Sequence, residues 1–225
     1  MTMFEIVLDT ETTGLDAAGK DRIVEIGCVE LENHVPTGRT YHQHINPERD
    51  MPEEAFKVHG LSEAFLSQKP IFREIAHKFL EFIDDRPLVI HNAEFDIAFI
   101  NAELKRINLP GVPVVRAIDT LKIARERFPG APASLDALCR RFGVNNTART
   151  QHGALLDSQI LAEVYLELVG GRQQALTLKA RVEKSKKANV TKLTRLAARP
   201  HSASDPELAA HAGLIDNIPK AIWRR

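Results

Sequence analysis

The sequence contains two cysteines and one tryptophan among 225 residues, and it has no long uninterrupted run of apolar residues. Cys28 and Cys139 are too few for a disulfide-stapled fold, so we expect buried free thiols in a reducing compartment. The missing apolar run argues against a membrane-spanning helix. Residues 1–5 also lack the basic and then apolar pattern of a secretory signal, so we expect a cytoplasmic location.

Net charge is absent too, because 30 Lys and Arg balance 30 Asp and Glu. The balance hides an asymmetry: residues 172–225 carry 12 basic and 4 acidic side chains (+8), which leaves 18 basic and 26 acidic ones (−8) in residues 1–171. An acidic body is untypical of a free-standing nucleic-acid binder. If this body acts on nucleic acid, we expect another molecule to present the substrate.

Hydrophobic periodicity predicts three strands with short links, which favours an antiparallel meander, followed by alternating strands and helices. This order predicts an α/β fold with a mixed central sheet flanked by helices. Residues 33–38 read as a turn cluster and residues 52–60 as irregular or one helical turn. The predicted strands are 6–8, 22–31, 40–45, 87–90 and 114–118, and the predicted helices are 71–83, about 92–108, 120–128, 135–142 and 153–168.

The composition changes after Gly171, which predicts a domain at 1–170 and a basic, flexible linker at 171–204. The residues 205–207 predict the start of a short helix that Gly213 would end. The apolar residues of 205–225 are many for a tail without a core. They favour docking on a partner, with packing against its own domain as the alternative.

Asp9 and Glu11 follow the first apolar strand at alternate positions, so their side chains point to the same side. Two carboxylates at the edge of a core repel each other and lose hydration, which is costly unless a cation lies between them. The small residues 12–14 then turn the chain and leave its backbone open to a ligand. Alone, these residues fit an ordinary strand end equally well, so a metal site needs carboxylates from elsewhere.

Three later residues are candidates to complete the site. Asp96 lies in the opening turn of a helix after a strand, where favourable charge at a helix N-terminus would explain it alone. His152 precedes a helix that carries Asp157 in its second turn, so both side chains can face one rim. Four carboxylates without a thiolate favour Mg²⁺ or Mn²⁺.

Together these motifs resemble the DEDDh 3′–5′ exonucleases, which have a ribonuclease H-like fold. The chain also resembles one group within this family, the proofreading epsilon subunits of bacterial DNA polymerase III, at residues 54–60, 91–96, 134–139 and 152–165. The resemblance implies hydrolysis of a single-stranded primer 3′ end to nucleoside 5′-monophosphates with two divalent ions, Mg²⁺ or Mn²⁺. It assigns the ions to Asp9, Glu11, Asp157 and Asp96, all of them catalytic, and the general base to His152.

The resemblance also implies residues that contact DNA and protein partners. For His59 an ordinary turn histidine is the alternative, and for residues 173–178 a neutral linker start is the alternative to a sliding-clamp-binding peptide. The extreme C-terminus would dock on the alpha-type polymerase subunit, and a small accessory subunit is a further possible partner. Residues assigned to substrate are Asp9, Glu11, Thr12, Thr13, Glu54, His59, Asn92 and Asp157, and those assigned to protein partners are Gln173, Leu176, Leu178 and Trp223.

Two other functions fit the same residues. An exoribonuclease would share the motifs, but the apolar tail argues against it. A non-catalytic adaptor between polymerase and clamp would share the tail, but the complete set of five chemical residues argues against it.

Overall fold

The computed structural model describes residues 2–147, 151–171 and 202–219, which fall into two compact units. The first unit holds the described residues up to Gly171 and the second holds 202–219. The predicted clamp-binding peptide at 173–178, most of the predicted linker and Trp223 lie outside the described residues.

A five-stranded mixed sheet organises the first unit, which confirms the predicted fold class. The strands β1 (Phe4–Thr12), β2 (Ile23–Glu32) and β3 (Val35–His44) form the predicted antiparallel meander. The strands β4 (Leu88–Ile90) and β5 (Ala117–Asp119) continue the sheet in parallel on the other side of β1. The strand order is β3-β2-β1-β4-β5.

Helices cover both faces of this sheet, because the side chains of β1 alternate between them. Ile6 and Leu8 pack with α3 (Phe72–Ile83) and α4 (Ala93–Arg106) on one face, whereas Val7 packs with α7 (Ala154–Leu168) on the other. Among the described residues, no helix combines the length and apolar character needed to cross a bilayer. The helices of this unit are α1 (Glu53–His59), α2 (Glu63–Leu66), α3 (Phe72–Ile83), α4 (Ala93–Arg106), α5 (Thr120–Arg127), α6 (Leu135–Phe142) and α7 (Ala154–Leu168).

Three predicted boundaries were wrong. The turn expected at 33–38 is only Asn33 and His34, whose φ values of 51° and 69° suit a two-residue hairpin turn, so β3 begins at once with Val35. Residues 53–59 form two helical turns instead of at most one. Residues 114–116 form a 3₁₀ turn, which shortens the strand predicted at 114–118.

Both cysteines are buried free thiols, as predicted. The described part of the tail forms α8 (Asp205–Asp216). Its N-cap is Ser204, whose backbone N–H donates to the Glu207 carboxylate at 2.8 Å. The predicted stop at Gly213 was wrong, since glycine in a helix costs about 1 kcal/mol but does not by itself end it.

Gly27 on β2 allows α7 to lie directly against the sheet. A Cβ at this position would lie 2.2 Å from the carbonyl carbon of Ala154 and from the backbone nitrogen of Leu155. The hydroxyl of Ser158 also donates to the Gly27 carbonyl at 2.9 Å. Because Gly27 is the cross-strand partner of Asp9, this contact brings the first turn of α7 beside Asp9.

We expect Gly27→Ala to lower the free energy of unfolding by about 1–3 kcal/mol, because the backbone of α7 must move to accept the methyl group. Urea unfolding followed by circular dichroism measures the change. Gly153→Ala is the matched control, since its φ of −156° is extended and an added Cβ meets no atom within 4 Å. Equal stability of the two variants would contradict the close packing of α7.

Candidate active site

The site lies where β1 extends beyond β4. The two strands pair only at Ile6 and Val7, so the later residues of β1 form a free rim of the sheet. Asp9 is partly buried and Glu11 is buried on the face of the sheet that α7 covers. The alternation predicted from the sequence therefore places both carboxylates on one side of this rim.

Asp96 reaches the rim from α4, which packs on the opposite face of the sheet. It is 3% exposed, and its Oδ1 accepts hydrogen bonds from the backbone N–H of Thr10 at 3.0 Å and from the Thr10 hydroxyl at 2.7 Å. The early end of β4 leaves the backbone of β1 free for this contact. The Asp96 carboxylate thus accepts hydrogen bonds from Thr10 where a longer β4 would pair with β1.

His152 and Asp157 enter from the N-terminus of α7. Asp157 is buried in the first turn of this helix, slightly earlier than predicted, and its Oδ2 lies 3.2 Å from Nδ1 of His152. The backbone N–H of His152 donates to the carbonyl of Val58 at 3.2 Å. This bond ties the loop before α7 to the end of α1.

Gly60 makes room for the same loop. It ends α1 in the left-handed region, at a φ of 71°, and a Cβ on it would lie 2.2 Å from the side-chain oxygen of Gln151. Glycine adopts this conformation without strain. The pair His59-Gly60 therefore has a packing role beside the His152 loop in addition to the role implied by the resemblance.

Two carboxylates and one imidazole of the rim converge. Ligand atoms of Glu11, His152 and Asp157 lie within 4.8 Å of one another, and Asp9 and Asp96 are not part of this group. Burial raises the pKa of Glu11 to about 8, and the charges of Asp157, Glu25 and Asp96 add to the rise, while His152 opposes it. Burial likewise raises the pKa of Asp96 to about 7 against its hydrogen bonds from Thr10.

These raised pKa values fit a site for cations. Buried carboxylates that repel one another hold protons near neutral pH when no cation balances their charge. A divalent ion replaces those protons and removes the repulsion. Among the residues at the rim the donors are carboxylate oxygens and imidazole nitrogen, without a thiolate, which suits divalent ions such as Mg²⁺ and Mn²⁺.

A cavity of about 330 Å³ opens beside Glu11. Thr12 and Thr13 line it from the end of β1, and Glu54 and His59 line it from α1. The structure thus brings these five residues, which the sequence assigned to substrate, to one cavity. The other lining residues are Thr10, Gly14, Leu15, Pro52, Ala55, Val58 and Phe95.

His59 lines this cavity with its ring in a defined tautomer. Its ring is buried, and its Nδ1 accepts a hydrogen bond from the backbone N–H of Leu61 at 3.0 Å, so the neutral ring carries its proton on Nε2. Burial lowers the pKa of His59, which favours the neutral ring. The Nε2 atom is itself buried and has no hydrogen-bond partner of normal geometry among the described residues, although the nearby Thr12 backbone opposes the lowering of the His59 pKa.

Thr12 and Thr13 line the cavity, but both of their hydroxyl groups already donate hydrogen bonds within the protein. The Thr13 hydroxyl accepts from the backbone N–H of Arg22 and donates to Asp21, both at 3.0 Å, and the Thr13 N–H donates to the Arg22 carbonyl at 2.9 Å. The Thr12 hydroxyl donates to the Gly14 carbonyl at 2.6 Å. These bonds fix the turn that follows β1.

Asn92 does not line this cavity. It lies at the N-cap of α4 with a φ of 71°, in a neighbouring groove of about 530 Å³ that His152 and Arg125 also line. Sequence reasoning missed Arg125, and it missed Leu15 and Phe95 in the cavity. The available signals were an apolar residue directly after the turn at 12–14 and an aromatic residue directly before Asp96.

Comparison with known proteins shows the family of the chain. The exonuclease family (RNase_T) matches residues 6–165. The chain is 27% identical to a solved structure described as exonuclease X in complex with 5′ overhanging duplex DNA, with a TM-score of 0.58 and coverage of 73% of this chain and 90% of that one. The nuclease domain of 3′hExo, described as a DEDDh family member bound to rAMP, shares the fold, with a TM-score of 0.63 at 18% identity over 74% of this chain and 91% of that one.

The fold and the family match define the class: the chain belongs to the exonuclease family. It is 50% identical over 225 residues to DNA polymerase III subunit epsilon of Rickettsia felis, covering 96% of this chain and 97% of that protein. It is 42% identical over 235 residues to the protein of that name from Escherichia coli K12, covering 98% and 97%. Within the class, the chain therefore belongs with the DNA polymerase III epsilon subunits.

The raised pKa of Glu11 predicts a pH-dependent stability. The folded, metal-free protein keeps the Glu11 proton up to about pH 8, whereas the unfolded chain releases it near pH 4.5, so stability falls as the pH rises through this window. The substitution Glu11→Gln removes this pH-dependent loss of stability. We expect the metal-free variant to be more stable than the wild type at pH 8 by roughly 1–3 kcal/mol in urea unfolding.

Two further measurements complete this experiment. Glu81→Gln, on the exposed side of α3, is the control and should leave the pH profile unchanged. Saturating Mg²⁺ or Mn²⁺ should stabilise the wild type more than Glu11→Gln. Parallel pH profiles for wild type and Glu11→Gln would contradict the assignment of a proton to this buried carboxylate.

Proposed function

We propose that this chain is a 3′–5′ DNA exonuclease that proofreads replication as a subunit of the replicative DNA polymerase. It hydrolyses the last phosphodiester of a primer 3′ end with two divalent ions and releases a nucleoside 5′-monophosphate. The observation that carries the proposal is the convergence of Glu11, His152 and Asp157 within 4.8 Å, beside a cavity of about 330 Å³. This volume lies within the usual range for small-molecule sites, about 300–1,000 Å³.

The four carboxylates of the rim would hold the ions. Asp9, Glu11 and Asp157 would hold the catalytic ion, and Asp96 would help to place the second. When bound, such ions supply Lewis acidity on both sides of the phosphodiester and stabilise the developing negative charge. The two hydrogen bonds from Thr10 fix one oxygen of Asp96, which orients this carboxylate before any ion arrives.

His152 is assigned as the general base. The Oδ2 atom of Asp157, 3.2 Å from Nδ1, accepts a hydrogen bond from that nitrogen and holds the ring. In this tautomer Nε2 is the basic nitrogen that would take a proton from the attacking water. The side chain of His152 is 47% exposed, so both water and substrate can reach it. A histidine suits this task because its ordinary pKa lies near neutrality.

The cavity is assigned to the terminal nucleotide. The exposed Glu54 can accept a hydrogen bond from a sugar hydroxyl, and His59 lines the same cavity. Leu15 and Phe95 offer apolar surface to the base. Such contacts would recognise any nucleotide, as a proofreading enzyme requires.

The partners follow from the charge distribution and the tail. The acidic body attracts DNA poorly, so a polymerase that already holds the primer would deliver its 3′ end. In the described part of the tail, Leu208, Leu214 and Ile218 are exposed, which supports docking of 205–225 on the polymerase subunit. The clamp peptide at 173–178, the accessory subunit and the domain boundaries remain predictions from the sequence.

A primer with a mispaired 3′ end tests the activity. We expect metal-dependent release of 5′-monophosphates by the wild type, loss of release in Asp9→Ala and Asp157→Ala, and a fall in kcat of about 10²–10⁴-fold in His152→Ala because a general base is removed. Chromatography of the released nucleotides measures the rates. Glu163→Gln, exposed on α7, is the control for Asp157→Ala and should retain full activity.

The same assay separates the alternative functions. An equal or higher rate on a matched RNA oligonucleotide would favour an exoribonuclease. Unchanged activity in Asp157→Ala would contradict the proposed mechanism. A folded wild type that releases nothing with Mg²⁺ or Mn²⁺, yet binds a polymerase, would favour the adaptor.

A chain truncated after Gly171 tests the tail. We expect it to retain excision, because the described rim and cavity lie before this residue, and to lose co-elution with the polymerase subunit in size-exclusion chromatography. The full chain is the control. Co-elution of the truncated chain would contradict the docking assignment and leave the exonuclease assignment intact.

A further inference from the structure

A cluster of one carboxylate and two imidazoles lies one strand away from the catalytic rim. It consists of Glu25 on β2 and of His42 and His44 on β3, and one ligand atom from each lies within 4.8 Å of the others. We propose that this cluster, here called the Glu25 site, binds a transition-metal ion such as Zn²⁺, separately from the catalytic carboxylates. The proposed exonuclease reaction does not use it.

The register of the sheet brings the three side chains to one face. Glu25 is the cross-strand partner of His44, and Gly27 is the partner of His42. Residues two apart on a strand share a face, so Glu25 and both histidines point the same way. Because Gly27 has no side chain, the His42 ring can turn towards Glu25 without obstruction from its own partner.

The distances are close to those of a metal site. Nε2 of His42 lies 2.6 Å from Oε1 of Glu25, and Nε2 of His44 lies 3.6 Å from the same oxygen. Ligand atoms at about 2.0–2.1 Å from a tetrahedral Zn²⁺ are about 3.3 Å apart. The distance from His42 is shorter than this value and the distance from His44 is longer. Shifts of less than about 1 Å would bring both distances to the value expected around the ion.

Packing holds the His44 ring in place beside Glu25. The Lys69 ammonium lies 4.1 Å from the centre of the Phe65 ring, which in turn contacts the His44 ring edge-on at 5.0 Å. His44 is thus positioned by packing rather than by a second hydrogen-bonded acid.

The donor set decides which ion binds. Two imidazoles and one carboxylate suit Zn²⁺, Co²⁺ or Ni²⁺, whereas the four carboxylates of the catalytic rim suit Mg²⁺ or Mn²⁺. The Glu25 side chain is 6% exposed, but those of His42 and His44 are 36% and 25% exposed. The open side leaves room for a water molecule as the fourth ligand.

The position of the Glu25 site gives it access to the catalytic rim. Glu25 is also the cross-strand partner of Glu11, at the usual strand spacing of about 4.8 Å. An ion on Glu25 would neutralise one of the carboxylates that repel Glu11. The Glu25 site is therefore placed to influence the catalytic carboxylates without belonging to them.

Titration with Co²⁺ in excess Mg²⁺ tests the proposal on the full chain. Excess Mg²⁺ occupies the carboxylate rim, and visible absorption then reports Co²⁺ that is bound through imidazole. We expect one Co²⁺ per chain, displaced by Zn²⁺, and at least about tenfold weaker binding in His42→Ala and His44→Phe. His44→Phe keeps a ring against Phe65, and thermal unfolding checks that both variants fold.

Two controls make the outcome decisive. His77→Ala, an exposed histidine on α3, should bind Co²⁺ like the wild type. Asp157→Ala should also keep the Co²⁺ signal, because it alters only the catalytic rim. Unchanged Co²⁺ binding in both His42→Ala and His44→Phe, or loss of the signal in Asp157→Ala, would overturn the proposal.

Discussion

Burial of several carboxylates at one rim is the constraint on which this structure depends. Glu11, Asp96 and Asp157 are each at most 9% exposed. Burial raises the pKa of Glu11 to about 8, and the charges of Asp157, Glu25 and Asp96 add to the rise. Under the proposed function, a divalent ion bound at the rim would remove the repulsion among these carboxylates and so stabilise the folded protein.

Each part of the scaffold positions one part of the carboxylate cluster. The strand β1 fixes Asp9 and Glu11 by alternation, and the short β4 leaves the gap that Asp96 fills. Gly27 sets the distance of α7 from the sheet and so the depth of Asp157. The position of the site therefore depends on two features without reactive groups, a strand that ends early and a residue without a side chain.

Much of this arrangement was predictable from the sequence, because strand alternation and helix caps are local signals. The helix capped by Ser134 and closed by Gly143 is such a case. The grouping of Asp96 and Asp157 with Asp9 and Glu11 was predicted through the family resemblance, whereas other features that depend on contacts between distant residues were not predictable. The apposition of Gly27 to α7, the convergence of His42 and His44 on Glu25, and the contribution of Leu15 to the cavity all arise from tertiary packing, which a single sequence does not display.

The hydrogen bond between the His152 N–H and the Val58 carbonyl has a mechanical consequence. Val58 precedes His59 on α1, so this bond joins the helix that lines the cavity to the loop that carries the imidazole. Under the proposed function, the same main-chain contact would connect the binding of the terminal nucleotide to the position of the general base.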